Sequence, residues 1–361
     1  MNTRTGLPPA VASVAPLVEK RLRDLLDTEV ARWSEVDAAL GEPFSSLRSS
    51  VLSGGKRLRP VLCYWSFIGA GGDAGSQSIV DAGAALELLH SAALIHDDVI
   101  DGSDRRHGSP TIHVEQAARH RGRGWRGDPE RFGAGVAVLI GDLALVYGDR
   151  LLSGAPLQAV GVYDEMRLEV NVGQYLDVLG AADRAGLAGE AGVMRSERIR
   201  RYKTAKYTVE RPLHLGAALA APDSFEFLAG GLSDFGLPLG EAFQLRDDLL
   251  DVFGDPAVTG KPVGDDLREG KPTLLASLTA TRAAGSAGAF FDANFGSPDL
   301  DESAVRRLQE IIESTGARSE AEAAIRRLLD SATAALSRLR FRPEAIEALG
   351  EVARFVAGRD R

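Results

Sequence analysis

The sequence contains one cysteine, no continuous apolar stretch near its N-terminus and no excess of positive charge, and each absence excludes a class of protein. Cys63 alone cannot form an intrachain disulfide or a thiolate metal cluster, so a buried apolar role in a reducing compartment is expected. Residues 1–20 carry prolines and scattered charges instead of the apolar core of a secretory signal, and no later apolar run is expected to approach membrane-spanning length. A soluble, cytoplasmic protein is therefore expected. The net charge of −9 argues against nonspecific nucleic-acid binding.

Alanine and leucine at helical spacing dominate the chain, whereas the alternation of β-branched residues that marks strands is scarce. Neither an internal repeat nor a low-complexity linker divides it. We expect an all-α protein with one domain over residues 15–361 and a mobile tail over residues 1–14. The expected helices cover residues 15–40, 78–101, 133–152, 156–180, 195–220, 238–253 and 302–358. The first turn of the 78–101 helix resembles a capping box of Ser78 and Asp81, and the 302–358 helix must break near Gly316 and Pro343. Loops are expected over residues 119–132 and 254–272.

Two DDxxD groups stand at the C-terminal ends of predicted helices. They consist of Asp97, Asp98 and Asp101, and of Asp247, Asp248 and Asp251. The first and last carboxylates of each group lie four residues apart, so they share a helix face at the negative end of the helix dipole. Crowded carboxylates destabilise that position unless a cation binds them, and magnesium is favoured when phosphate oxygens complete its coordination. A single DDxxD group can occur by chance on a solvated helix face. Two such groups, each on an otherwise apolar helix, predict a metal-dependent phosphate site.

Other polar residues lie near these groups. His90 shares a stripe with Asp97, although a lone histidine at this position is more often a buried core residue, and Gln244 shares a stripe with Asp247. Cations follow in the basic loop GGKRLRP (residues 54–60), at Arg105 and Arg106, and at Lys261 and Lys271. Arginine recognises phosphate with a planar fork and lysine as a point charge. The basic loop lacks the spacing of a nucleotide-binding phosphate loop, and on its own it would equally be an exposed turn.

The chain resembles the trans-isoprenyl (polyprenyl) diphosphate synthase family over about residues 44–275. The resemblance rests on these motifs, in order: GGKRLRP, LLHSAALIHDDVIDGSDRRHGSPT, GDLAL, GQYLDV, RYKTAKYT, FQLRDDLLDVFGD and GKPVGDDLREGKPT. It implies an isoprenoid synthase-like fold, a single large helical bundle around a deep central cavity. It also implies a homodimer that binds isopentenyl diphosphate, an allylic diphosphate (DMAPP, GPP or FPP) and three Mg²⁺ ions per site.

The resemblance further implies roles for individual residues. The isopentenyl diphosphate would be bound by Lys56, Arg59, His90 and Arg106. The allylic diphosphate would be bound by Arg105, Lys203, Lys261 and Lys271. The metal ligands would be Asp97, Asp101 and Asp247, with Asp98 and Asp251 supporting or sharing that role. Asp248 would be a further catalytic residue of the second group. Thr204 and Gln244 would line the reaction centre, and Gln174 and Asp177 match a further family motif.

The implied product length depends on the positions before the first aspartate group. Ala92 and Ala93, one turn before Asp97, are too small to close the pocket at a farnesyl chain. The chain would stop deeper in the pocket, at Leu89, Leu86, Met166 or Leu168. Geranylgeranyl diphosphate (C20) is therefore the expected product, with farnesyl or longer products open.

The sequence departs from the family pattern in two places. KTAKYT replaces the commoner KTGAL, so Lys206 and Tyr207 have no implied role and are expected to be structural. The arginine-rich insertion at residues 119–132 would be a solvated loop, a lid or a subunit contact, and we favour the loop.

Three other functions compete with this interpretation. A terpene cyclase also uses DDxxD, but its second metal motif usually carries Asn, Ser and Glu, and it needs no isopentenyl anchor. A noncatalytic regulatory subunit of a heteromeric synthase would be expected to lose aspartates, and this chain keeps all six. A plain helical scaffold would leave the converging charges unexplained.

Overall fold

The computed structural model describes residues 8–106, 108–255 and 263–358. These residues are helical apart from connections and one hairpin, in which β1 (Arg105–Arg106) pairs antiparallel with β2 (Ser109–Pro110). The α-helices, in chain order, are α1 (Pro9–Ala12), α2 (Ala15–Val36), α3 (Gly41–Leu52), α4 (Leu58–Gly69), α5 (Gln77–Asp101), α6 (Ile112–Gly122), α7 (Pro129–Leu151), α8 (Leu157–Ala182), α9 (Gly189–Ile199), α10 (Arg211–Ala220), α11 (Phe225–Phe253), α12 (Asp265–Glu269), α13 (Leu274–Arg282), α14 (Gly285–Asn294), α15 (Glu302–Ser314), α16 (Ala317–Leu336) and α17 (Pro343–Ala357). A π-helix (Arg200–Glu210) joins α9 to α10. The predicted all-α class is confirmed.

Residues 8–14 are folded, so the tail expected over residues 1–14 is wrong for this part. Val11 is fully buried and Val14 is nearly so. The Trp65 indole donates a hydrogen bond to the Ala10 carbonyl at 3.0 Å. Burial of these apolar side chains offsets the entropy cost of ordering a terminal segment. Residues 1–7 lie outside the described residues.

The α5 helix begins one position earlier than expected and ends at Asp101 as predicted. Its N-cap is Ser76, whose hydroxyl accepts a hydrogen bond from the Ser78 backbone N–H at 3.3 Å. The predicted capping box of Ser78 and Asp81 is therefore wrong. The Asp81 carboxylate instead pairs with Arg21 at 2.6 Å.

The α11 helix begins at Phe225, well before the expected start at Pro238. Proline is most favourable in a first turn, and within a helix it costs about 3 kcal/mol. Phe235 and Leu239, which flank Pro238, are fully buried. Packing of this apolar face outweighs the proline penalty, because burial of one large apolar side chain contributes about 1.5–3 kcal/mol.

The two predicted loops are shorter than expected. Between α6 and α7 the connection covers only residues 123–128, because Asp128 caps α7 through the backbone N–H groups of Glu130 and Arg131. Within the second loop, α12 occupies Asp265–Glu269. The helix expected over residues 195–220 contains the π-helix, whereas the predicted breaks near Gly316 and Pro343 are confirmed.

The contacts divide the chain into two compact units. Unit 1 comprises Met1–Val160 and Leu215–Pro222, and unit 2 comprises Gly161–His214 and Asp223–Arg361. The core of unit 1 includes the fully buried side chains Leu22, Leu47, Leu62, Leu86 and Ile140. The core of unit 2 includes Phe235, Leu308, Ile312, Leu349 and Val352. A single domain over residues 15–361 stays a prediction.

Two helices, α5 and α7, are long and apolar enough to cross a membrane by length and composition alone. The expectation that no run approaches that length is therefore wrong. In α5, 67% of the apolar window is buried inside the protein, and in α7, 39%. Core helices of soluble proteins pass the same test, so this finding is weak evidence for a membrane span.

Candidate active site

The first aspartate group forms the last turn of α5 in unit 1. Asp97 and Asp101 are half-buried on one face, as their spacing predicts, whereas Asp98 is only 5% exposed. The Arg106 guanidinium, which follows in β1, donates to an Asp98 carboxylate oxygen from Nη2 at 2.6 Å and from Nε at 2.8 Å. It also lies 3.9 Å from Asp97. Arg106 therefore orders this carboxylate group.

Burial raises the pKa of Asp98, and the charge of Asp97 adds to that rise, although Arg106 partly opposes it. The pKa of Arg106 is itself raised by the aspartates despite its burial. The neighbouring Arg105 is exposed and donates to the Gly108 carbonyl across the hairpin.

The positions before Asp97 differ in exposure. His90 and Ala93, which share the stripe of Asp97, are half-buried. Ala92 and Leu89 are 1% and 3% exposed and pack into the core of unit 1. Of the two small residues proposed to set product length, Ala93 is the one on the half-buried face.

The basic loop is organised by Arg57, a residue that sequence reasoning gave no role. Its φ of 51° is left-handed, and no other non-glycine residue in the described ranges has a positive φ. The guanidinium is buried, pairs with Glu87 of α5 and donates to the Val51 carbonyl at 2.8 Å. Such a backbone conformation costs roughly 1–2 kcal/mol, and the buried contacts of the guanidinium hold Arg57 in it. Lys56 is exposed and Arg59 is half-buried on either side of it.

The second aspartate group lies near the end of α11 in unit 2 and repeats the pattern of the first. Asp247 and Asp251 are half-buried, and Asp248 is 6% exposed. The Gln244 amide donates to Asp248 at 2.7 Å. Burial, reinforced by the charge of Asp266, raises the pKa of Asp248 to about 8.

Asp266 is a fourth carboxylate of this group that the sequence reading missed. Its backbone N–H donates to the Asp251 carboxylate at 2.9 Å, and the Gly264 N–H donates to the Asp251 carbonyl at 2.8 Å. One Asp251 oxygen is therefore used to hold the start of α12. Burial and the charge of Asp251 raise the pKa of Asp266 well above its usual range. The signal in the sequence is the acidic pair in GDDLREGKP.

A cavity of about 110 Å³ in unit 2 brings predicted residues from four segments together. Its lining includes Lys203, Thr204, Gln244, Asp248, Asp266, Lys271 and Asp177. The Asp177 carboxylate lies 2.6 Å from the Lys203 amine and 3.2 Å from the Lys271 amine. Burial pushes the pKa of Asp177 up, but the two lysines more than offset it and hold the pKa below its usual range. Lys261 lies outside the described residues.

The cavity side chains Lys203 and Thr204 belong to the π-helix, which packs between α8 and α11. A Cβ on Gly173 of α8 would meet the Lys203 backbone nitrogen, and one on Gly240 of α11 would lie 2.6 Å from the Ala205 Cα. Because glycine has no side chain, both positions leave room for the π-helix backbone, which is wider than that of an α-helix.

Leu168, proposed as one possible end of the product pocket, is 64% exposed, whereas Met166 is fully buried.

The chemistry of the donor groups fits a hard divalent cation. Among the described residues, no three His, Cys, Asp or Glu side chains are placed to hold a metal ion by themselves. Burial is the largest cause of the raised pKa values of Asp98, Asp248 and Asp266, and a neighbouring carboxylate adds to each rise. Oxygen donors of this kind suit magnesium when a substrate phosphate supplies further ligands.

Comparison with known proteins gives consistent results. The polyprenyl synthetase family model matches residues 42–312. The chain is 38% identical over 229 residues to a geranylgeranyl diphosphate synthase of Mycobacterium tuberculosis. This alignment covers 62% of this chain and 57% of that protein. It is 34% identical over 331 residues to a short chain isoprenyl diphosphate synthase of Methanothermobacter thermautotrophicus. This alignment covers 88% of this chain and 91% of that protein.

The solved structures include a geranylgeranyl pyrophosphate synthase from Corynebacterium glutamicum complexed with isoprenyl diphosphate and magnesium. It is 39% identical to this chain, with a TM-score of 0.86 over 95% of this chain and 98% of that one. The family match takes in both aspartate groups, the basic loop and the cavity residues. The chain therefore belongs to the polyprenyl synthetase family and is a prenyltransferase.

Proposed function

We propose that this protein condenses isopentenyl diphosphate with an allylic diphosphate and releases geranylgeranyl diphosphate. The observation that carries the proposal is the cavity of unit 2, which is lined by two lysines, Lys203 and Lys271, and by the carboxylates of Asp248 and Asp266. Such a lining suits a diphosphate that arrives with divalent cations. The relatives named as geranylgeranyl diphosphate synthases support the same reaction and product class.

The allylic diphosphate is held by Lys203 and Lys271 in the cavity, and the family resemblance implies the same role for Arg105 and Lys261. The residues that would hold magnesium are Asp97 and Asp101 in unit 1 and Asp247 and Asp251 in unit 2, with Asp98 and Asp248 beside them in their own groups. The family resemblance implies three ions. When bound, magnesium neutralises the charge that develops on the departing diphosphate. No nucleophilic side chain is required, because the carbon–oxygen bond ionises once the leaving group is stabilised.

The second substrate is bound by the basic loop and α5. Lys56, Arg59 and His90 contact the diphosphate of isopentenyl diphosphate, with Arg106 beside them. The double bond of this substrate attacks the allylic carbon as the diphosphate leaves, and a proton then passes to the released diphosphate. Thr204 and Gln244 place oxygen atoms near the positive charge of the allylic cation. The apolar walls exclude water, which would otherwise react with this cation.

Ala93 sets the direction of the growing chain in this proposal. It lies one turn before Asp97 and is half-buried, and its small side chain would leave room for a C20 tail. Leu89, which is buried and lies one turn deeper, would end the product pocket.

The direct test is incubation of the purified protein with labelled isopentenyl diphosphate, magnesium and each of the C5, C10 and C15 allylic diphosphates. We expect a discrete C20 alcohol after dephosphorylation, and loss of incorporation when EDTA removes the metal. A C15 product or a longer ladder would keep the reaction and correct the product. No incorporation with any primer would overturn the proposal and favour a regulatory subunit that needs a partner.

We further propose that the protein is a homodimer, on the basis of apolar stripes on two helices. On α8, Leu168, Val172, Tyr175 and Leu179 follow helical spacing and are all exposed, and α7 exposes Leu139 and Val146. Solvent exposure of such stripes is unfavourable, and a second copy of the chain would cover them.

Light scattering after size exclusion tests the dimer. We expect the wild type at about twice the 38.3 kDa chain mass, and monomers for Leu139→Arg and Leu168→Arg. Phe227→Arg is the control, because Phe227 is 89% exposed and outside both stripes. A wild-type protein at the mass of one chain would contradict the proposal.

A further inference from the structure

One face of α8 carries two carboxylates with a glycine midway between them. Glu169, Gly173 and Asp177 are spaced four residues apart, so they form one stripe along the helix. The stripe faces the π-helix: Asp177 binds Lys203, and Gly173 gives room to the Lys203 backbone. Glu169 has no assigned role in the reaction, yet it also contacts the π-helix, from a position one turn of α8 before Gly173.

Glu169 accepts hydrogen bonds from two cations. The Lys206 amine donates to Oε1, and the Arg211 guanidinium donates to Oε2 at 2.6 Å and to Oε1 at 2.7 Å. The carboxylate is 6% exposed, and the Lys206 and Arg211 side chains are 15% and 16% exposed. A bidentate guanidinium pair of this kind fixes geometry as well as charge.

A second carboxylate, Glu210, also lies close to Lys206. Glu210 lies 3.5 Å from the Lys206 amine and accepts a hydrogen bond from Ser233 at 2.6 Å. Burial pushes the pKa of Glu169 up, but Arg211 and Lys206 outweigh it, and the pKa lies below its usual range. Glu169 is therefore ionised and paired, so removal of either partner would leave a buried charge uncompensated.

A π-helix of this length needs such support. Its i→i+5 turns are rare, occur mostly as single bulges and often lie at functional sites. Here the unusual turns span Arg200–Glu210, and they decide which side chains reach the cavity. Lys203 is anchored by Asp177 at the cavity, and the opposite end is anchored by Glu169 through Lys206 and Arg211. The KTAKYT sequence supplies both lysines, which gives Lys206 the role that the family pattern did not.

We propose that Glu169 is a positioning residue: by holding Lys206 and Arg211 it fixes the π-helix so that Lys203 and Thr204 face the allylic diphosphate. The proposal rests on the proposed function for the identity of that substrate. It assigns Glu169 and Lys206 no contact with the substrate. Their replacement should therefore alter the binding of the allylic diphosphate and leave the isopentenyl site unchanged.

Steady-state kinetics of Glu169→Gln, Lys206→Met and Lys206→Arg test the proposal. For the first two variants we expect the KM for the allylic diphosphate to rise about tenfold or more, because small misplacements of binding groups are costly. The KM for isopentenyl diphosphate should stay within about twofold, and Lys206→Arg should restore the allylic KM because it keeps the charge pair. Asp164→Asn is the matched control, since it removes an exposed ion pair with Arg167 on the same helix.

Calorimetry with inorganic diphosphate and magnesium gives a readout that needs no turnover. Weaker binding in Glu169→Gln, with the control unchanged, would support the positioning role even if the proposed reaction fails with every primer. Equal rises in both KM values, or lower thermal stability with unchanged KM values and diphosphate affinity, would show a purely structural pair and overturn the proposal.

Discussion

Replacement of Asp247 by Asn should lower kcat by about a thousandfold, and Asp97→Asn should have an effect of similar size. Both carboxylates lie on the half-buried face of their helix, away from the buried middle residue of each group. An amide keeps the shape but loses the negative charge that binds the metal. The measurement is single-turnover kinetics at saturating magnesium and both substrates, which separates chemistry from substrate binding.

The control for this pair is Asp234→Asn. Asp234 lies on the same helix as Asp247, is exposed and has no place in the cavity, so its replacement should change kcat by less than about twofold. Circular dichroism should show the same helix content for all three variants. Activity near the wild-type level in Asp247→Asn would overturn the metal assignment of the second group.

Helical spacing was sufficient to predict how the carboxylates are presented. The i and i+4 rule placed Asp97 with Asp101 and Asp247 with Asp251, and each pair shares a half-buried face. The same periodicity predicted that His90 and Ala93 lie on the face of Asp97. Local pattern carries this information because the side-chain direction of a helical residue depends only on its position along the helix.

Features that depend on residues distant in sequence were missed. The start of α11 was placed at Pro238 because local preference was weighed without the buried side chains on either side. Asp266 enters the second acidic group only because α12 folds back onto Asp251. The π-helix requires glycines on two other helices, and Arg57 requires Glu87 of α5. The spacing of residues within one segment cannot predict such contacts between distant segments.

Replacement of Ala93 by Phe should shorten the product. Ala93 is half-buried one turn before Asp97, about 5.4 Å along the helix, so a phenyl ring there would stand in the path of a tail that extends away from the aspartates on this face. We expect the C20 fraction to fall by more than about tenfold and C10 or C15 alcohols to replace it, since a steric clash discriminates strongly against longer chains. Chromatography of the dephosphorylated products measures this directly.

Ala92→Phe separates pocket shape from packing. Ala92 is 1% exposed within the core of unit 1, so a ring at this position overpacks the interior and should cost about 1–3 kcal/mol of folding free energy. The expected result is a lower unfolding midpoint with the C20 product retained. If Ala92→Phe shortens the product and Ala93→Phe does not, the growing chain follows the other side of α5, and the assignment of Ala93 is wrong. Only a product change confined to Ala93→Phe agrees with a tail that extends along the half-buried face of α5.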